Sequence, residues 1–319
     1  MNVRRLVFAG QALVDVVMRV PALPERGGDV FATSSEVTVG GGFNVMAAAA
    51  RQGLPVLYAG GHGTGPWGDL VRATLAAEGI TILRPQDPTR DTGFDVALVE
   101  PDGQPTYATR LGAETLETWN DLPAGSSDMV YVSGYGLAAE GGGAPGEDFG
   151  GQSFGTPPRI SPARPAPQLF IDPGPLVAQI PADILADVLA RCDWLSCNQR
   201  EASLLTGTAD PDEGARILLR RTARAGIIVR TGPAGCVLAI RGQELAHIPA
   251  PAVEAIDTTG AGDTHAGVFI AALADGLPPA QAARRANAAA AYSVTREGPA
   301  TAPTRATLDS WLATHDAGG

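Results

Sequence analysis

Asp257-Thr258-Thr259-Gly260-Ala261-Gly262-Asp263 runs into an apolar stretch that begins near Thr264, and how these seven residues are read decides the rest. Two glycines flank a small alanine just before a predicted helix. Glycine tolerates backbone conformations closed to other residues. The N–H groups of Gly260, Ala261 and Gly262 can therefore turn toward one point at the helix N-terminus, where the helix dipole favours negative charge. A hole of this kind stabilises charge that develops during a reaction. Asp263 stands at its mouth, with the chemistry to take a proton from an attacking hydroxyl. The competing reading is structural: Asp is a preferred N-cap, and a generic Gly-Ala-Gly-Asp is more often a turn and a cap than a site.

Outward from this stretch, short apolar runs alternate with helical patterns. Leu6–Ala9, Val56–Ala59, Met129–Ser133, Leu169–Asp172, Trp194–Cys197 and Ile227–Arg230 read as buried strands. Helices are predicted over Asn44–Gln52, closed by Gly53, over Trp67–Glu78, closed by Gly79, and over Thr264–Ala274 and Pro279–Ser293. Gly93–Val99 and Gln104–Arg110 read as a hairpin about Pro101-Asp102-Gly103. The alternation predicts an α/β fold, a mainly parallel central sheet flanked by helices. It spans a single domain, 1–319, with a Gly/Pro-rich loop insertion at 140–168.

Composition narrows the function. The net charge of −11 argues against a nucleic-acid partner. No stretch approaches the roughly 18 consecutive apolar residues of a membrane span, and the N-terminus reads as a strand rather than a signal peptide. Three cysteines, Cys192, Cys197 and Cys236, are an odd count without metal-ligand spacing, so a reducing cytoplasm is the expected location. All 23 basic side chains are arginine. A Walker A lysine and a Schiff-base lysine are thereby excluded, and phosphate chemistry has to run on arginine, backbone amides or metal.

Asp-Thr-Thr-Gly-Ala-Gly-Asp closely resembles the C-terminal signature of the ribokinase-like (PfkB) carbohydrate kinases, and further segments resemble that family in the expected order along nearly the whole chain. Asp15 matches an early aspartate that binds sugar hydroxyls. Gly40-Gly41-Gly42-Phe43-Asn44 is similar to a Gly-Gly-x-x-x-Asn segment under the substrate. Asn198-Gln199-Arg200-Glu201 resembles an Asn-x-x-Glu motif associated with magnesium and phosphate. Arg230-Thr231-Gly232-Pro233-Ala234-Gly235 is similar to the nucleotide loop, and Asn287 falls where a residue lies near adenine. Ser293-Val294-Thr295-Arg296-Glu297-Gly298 resembles a monovalent-cation loop, built from carbonyls of Thr259, Ser293, Arg296 and Gly298 with the Asp257 carboxylate. The resemblance implies a ribokinase-like fold with a small β-sheet lid drawn from segments near 14–38 and 93–110. It implies ATP-dependent phosphorylation of a sugar or nucleoside hydroxyl, with Asp263 as base, Gly260-Ala261-Gly262 as anion hole, Mg2+ as cofactor, and K+ as a further ion. Self-association as a homodimer is left open.

The chain also departs from that pattern. Aligned on Asn44, the first glycine of the family's pair becomes Val39. Tyr135 stands where a ribose kinase has a sugar-binding glutamate, so ribose specificity does not transfer. Gly65–Glu100 looks most like a bacterial branch of sugar kinases. Local alternatives remain beside each site residue. Asn44 can be a helix N-cap, and Asn198 with Glu201 can be a capping box. His265 is read as a helix residue. Gly63-Thr64-Gly65-Pro66-Trp67-Gly68 is a formal dinucleotide fingerprint that would suit a nicotinamide-dependent oxidoreductase. A catalytically weak, sugar-binding regulatory protein is the third reading.

Overall fold

In the computed structural model, which describes residues 3–315 apart from 102, 104, 116–121, 123, 139–165, 223 and 225, successive residues of each central strand are buried on opposite faces. Leu6 and Phe8 face one way and Val7 the other. Met129 and Tyr131 oppose Val130 and Val132, and Trp194 opposes Leu195 and Cys197. A strand buried on both faces reads as a continuous apolar run, which is why these strands are legible in the sequence.

The elements follow in the order β1 (Arg5–Phe8), β2 (Ala12–Arg19), β3 (Ser34–Gly41), α1 (Phe43–Arg51), β4 (Val56–Tyr58), α2 (Pro66–Ala77), β5 (Thr81–Ile82), β6 (Phe94–Val99), β7 (Pro105–Arg110), β8 (Asp128–Ser133), β9 (Gln168–Asp172), α3 (Ala182–Arg191), β10 (Trp194–Asn198), α4 (Gln199–Thr206), α5 (Pro211–Arg221), β11 (Gly226–Arg230), β12 (Cys236–Ala239), β13 (Ala246–Ile248), α6 (Ala261–Ala274), α7 (Pro279–Ser293) and α8 (Arg305–His315). The large sheet has nine strands in the order β13-β12-β11-β10-β9-β8-β1-β4-β5. From β5 to β11 every pairing is parallel, and the β11–β12 and β12–β13 pairs are antiparallel. One face carries an aromatic row, Phe8, Tyr131, Phe170 and Trp194, against which Phe269 of α6 packs. The opposite face is closed by residues of α3, α4 and α5 such as Val188, Leu205 and Leu218.

The second sheet has four strands, ordered β3-β2-β6-β7. β2 leaves β1 after a short turn, and β3 returns directly into α1. Glu114 ties together the entry to β6 and the exit from β7, accepting the Gly93 N–H at 2.6 Å and the Gly112 N–H at 2.7 Å. Burial raises the Glu114 carboxyl above the usual range.

Several sequence expectations need correction. α6 begins at Ala261, so Asp263 is its third residue and its N-cap is Gly260. Asp263 is therefore not a cap. Asn44 is not one either: α1 begins at Phe43 and its N-cap is Gly42. In both cases glycines that look like loop in the sequence lead straight into the helix. Most of the 140–168 insertion lies outside the described residues. Among the described residues, no helix is long and apolar enough to cross a membrane.

Candidate active site

The parallel strands end together, and the polar residues of the sequence motifs stand at or just after those ends. Asp172 closes β9, Asn198 closes β10 and Arg230 closes β11. Glu201 stands in the first turn of α4 and Asp263 in the first turn of α6. Open α/β sheets bind ligands at the carboxyl ends of their strands.

Gly260 has φ of +71°, and a Cβ there would lie 2.0 Å from the Pro299 carbonyl oxygen. Only glycine meets both conditions. No side chain caps α6, and the Ala261 N–H makes only a long 3.3 Å bond to the Thr258 carbonyl, so the helix start can receive an anion. The Arg230 guanidinium lies beside this turn: a Cβ on Gly262 would be 3.3 Å from its Nη2. Arg230 Nη1 donates to Asp172 Oδ2 at 2.7 Å and to Ser196 Oγ at 2.6 Å, and Nη2 lies 3.7 Å from Glu201 Oε2. Burial works against the Arg230 charge, but Asp172 and then Glu201 outweigh it and keep the group protonated. Glu201 is raised by burial and by the Asp172 charge.

The Asp263 carboxyl is pushed up to about 7, first by burial and then by the Asp172 charge. Asn44 Nδ2 donates to Asp263 Oδ2 at 3.4 Å. α1 and α6 can approach this closely because of Gly267, where a Cβ would lie 2.5 Å from the Val45 carbonyl. Asn44 is only 7% exposed, and its Oδ1 has no hydrogen-bond partner. Buried amide oxygens are normally satisfied, so this one marks a place for a donor.

On the small sheet, Asp15 of β2 sits directly opposite Asp95 of β6 in parallel register. Gly40 makes room for Asp15, since a Cβ there would lie 1.9 Å from Asp15 Oδ2. Asp15 is raised to about 7 and Asp95 to about 6, each mainly by burial. Tyr135, 47% exposed beyond the end of β8, is pushed up to about 12 by burial and by the nearby charges of Asp263, Asp95 and Asp15. Charges from both sheets thus act on Tyr135.

The remaining motif residues have these contacts. Asn198 and Glu201 do form a capping box: Asn198 Oδ1 accepts the Glu201 N–H at 2.9 Å and Glu201 Oε2 accepts the Asn198 N–H at 2.8 Å. Thr231 N–H bonds the Gly235 carbonyl, and Gly232 and Gly235 both adopt positive φ. Asn287 Nδ2 donates to the Ile248 carbonyl at 2.8 Å. The Asp257 carboxylate accepts N–H groups from Thr259 and Gly298. The Ser293 carbonyl accepts the Arg296 N–H and the Thr301 hydroxyl, while the Arg296 guanidinium stacks on Tyr292 at 3.4 Å. His265 is buried beside Phe269, and burial lowers it to about 3 against the opposing effect of Asn287. The Gly63–Gly68 turn already holds an anion of its own. Asp91 accepts the N–H groups of Trp67 and Gly68 at the start of α2, which leaves that helix end no place for a pyrophosphate.

Sequence reasoning missed Asp172, the inward side chain of Arg230, and Asp95. The signals were an Asp-Pro-Gly ending a buried strand and a lone carboxylate inside the apolar run Phe94–Val99.

Residues 3–142 and 171–305 match the family profile described as pfkB family carbohydrate kinase. The break in that match falls on the Gly/Pro-rich insertion. A protein of Escherichia coli (strain K12) described as the uncharacterized sugar kinase YegV is 33% identical over 322 residues, covering 95% of this chain and 92% of its own. A ribokinase from Thermotoga maritima shares the fold with a TM-score of 0.77 at 26% identity, covering 97% of this chain and 99% of that one. An Arabidopsis thaliana ribokinase solved with ribose and ATP gives a TM-score of 0.76 at 22% identity, covering 97% and 99%.

Proposed function

The chain belongs to the PfkB carbohydrate kinases, and we propose that it uses ATP to phosphorylate a hydroxyl of a sugar or nucleoside, with Asp263 as the base of the transfer. The observation that carries this is the conjunction at the α6 N-terminus: an uncapped helix end, an arginine beside it, and a carboxylate in its first turn held near neutrality by burial. A base works best with a proton affinity near the operating pH.

In the proposed reaction, a substrate hydroxyl lies against Asp263, with Asn44 steadying the carboxylate through its amide. As the hydroxyl oxygen bonds to the γ-phosphorus of ATP, its proton passes to Asp263. The bond between that phosphorus and the bridging oxygen breaks, and ADP departs. The N–H groups of 260–262 and the Arg230 guanidinium stabilise charge on the transferring group. ATP lies along the loop 230–235, and Asn287 acts there by holding the backbone at Ile248. Among the described residues no group of three acidic, His or Cys side chains is arranged to hold a metal directly, so Glu201 and Asn198, beside Asp172, would meet Mg2+ through its water shell, and the ion would neutralise phosphate charge when bound. Asp257 and the carbonyls near Ser293 and Gly298 are the oxygen donors for K+.

Asp15 and Asn44 anchor sugar hydroxyls, Tyr135 borders them, and Gly40 and Gly41 pass beneath. The four-stranded sheet serves as a lid that excludes water from the reaction. The test is ADP formation from MgATP across neutral pentoses, hexoses, polyols and nucleosides. Turnover of at least one is expected. Turnover of none, in protein shown to be folded, would contradict the proposal.

A further inference from the structure

Asp95 has no counterpart among the motifs of the sequence. It projects from β6 in direct register with Asp15. Like charges placed directly opposite on a sheet destabilise it, so the arrangement needs a reason. Among the described residues, no ion pair reaches either carboxylate. The arginine of the site, Arg230, is held by Asp172 and Ser196 at the α6 end. Asp95 Oδ1 is buried and no donor reaches it. Asn44 Oδ1, nine-tenths buried, is the second acceptor left without a donor. Strand alternation puts Tyr107 and Thr109 of β7 beside Asp95 on the same face: Thr109 lies directly opposite it and Tyr107 opposite Ala97. Burial, and after it the charges of Asp15, Asp95 and Asp257, raise the Tyr107 hydroxyl above its ordinary range. This wall accepts hydrogen bonds, and among the described residues it places no side-chain cation in an ion pair with either carboxyl.

Resting on the kinase reading above, we infer that Asp95 is a specificity-determining residue: with Asp15 it forms a carboxyl pair that binds adjacent hydroxyls of a neutral polyhydroxylated substrate and excludes sugar acids and sugar phosphates. A neutral diol supplies the donors that Asp95 Oδ1 and Asn44 Oδ1 lack. One proton shared between the carboxyls leaves the pair a single negative charge, to which two hydroxyls can donate. A substrate carboxylate or phosphate would meet that charge with nothing to neutralise it, and like-charge juxtaposition in a desolvated site is strongly unfavourable.

The experiment measures kcat and KM with MgATP for wild type, Asp95→Asn and Asp95→Ala. The substrates are a panel of neutral pentoses, hexoses, polyols and nucleosides, with gluconate and ribose 5-phosphate as anionic probes. Wild type should use a neutral compound and discriminate against both anions. Both variants should raise KM for that compound by roughly 10- to 100-fold, the loss expected for one hydrogen bond to a charged group. kcat should change little, and discrimination against the anions should narrow. Thermal melts establish that the variants are folded, and the KM-against-kcat split separates a binding role from a general structural one. Unchanged KM in folded Asp95→Asn overturns the inference and leaves the kinase reading standing. So does wild-type preference for gluconate or ribose 5-phosphate. If no compound is turned over, the kinase reading fails and this inference falls with it.

Discussion

The site holds two clusters of carboxylates, and the protein treats them in opposite ways. At the strand ends, Asp172 and Glu201 surround Arg230, whose guanidinium lies against the first turn of α6. On the small sheet, Asp15 and Asp95 face each other, and among the described residues no cation answers them. The first cluster carries its counter-charge in the chain. The second is bonded internally, carboxyl to carboxyl, and leaves Asp95 Oδ1 to whatever enters. A charge-compensated cluster is built to stay fixed, whereas an uncompensated one stores unfavourable free energy that a ligand can relieve. In the proposed mechanism the fixed cluster serves the phosphoryl group and the unsatisfied one serves the sugar.

The largest effect expected at the α6 end is that of Asp263→Asn. Asparagine keeps the shape but cannot accept the proton, so kcat should fall by about 10²–10⁴-fold while ATP and sugar still bind. Turnover near that of wild type would return Asp263 to a purely structural role. Arg230→Met should come next. Methionine replaces much of the arginine stem, but Asp172 and Glu201 lose their cation. Breaking a buried pair costs about 3–5 kcal/mol, measurable as a lower urea midpoint. An unchanged midpoint would mean that the strand-end cluster does not depend on its arginine.

The small sheet should respond in the opposite sense. Asp15 and Asp95 hold their protons to about 7 and about 6 in the folded protein, whereas an unfolded Asp releases its proton near 3.9. Between roughly pH 4 and 7 the folded state binds more protons, so this pair makes stability fall as pH rises. Asp95→Asn removes one of the two carboxyls. The variant should melt higher than wild type at pH 8 and show a shallower decline from pH 5. A lower melting temperature at pH 8 would show that the pair is satisfied in the unliganded protein. The smallest effect expected is that of the monovalent ion: turnover should be faster in potassium than in tetramethylammonium at matched ionic strength. Equal rates would remove the cation role of Asp257, Ser293 and Gly298.

The same contrast explains what the sequence made legible. Strands buried on both faces announce themselves as apolar runs, so β1, β8, β9, β10 and β11 were readable to within a residue or two. The predicted Pro279–Ser293 helix coincides with α7. Helix starts at glycine were not readable, because Gly42 and Gly260-Ala261-Gly262 look like loop in one dimension and serve as caps and first turns in three. Residues in dense local motifs, such as Asp263 and Glu201, could be singled out from the chain alone. Asp95 and Asp172 could not. Each is a lone acid at the end of, or inside, an apolar strand, and its meaning comes from a partner far along the chain, Asp15 for one and Arg230 for the other.

The central claim, that Asp263 must lose its proton before it can accept another, is tested most directly by the pH dependence of phosphoryl transfer in a single turnover, at saturating MgATP and an accepted sugar. Asp263 is held near 7 by burial and by Asp172, so the wild-type rate should climb with pH through about 7 and level off above it. In Asp263→Asn the residual rate should lack that step. A wild-type rate that is flat from pH 5.5 to 8.5, or a step of the same size surviving in Asp263→Asn, would contradict the account.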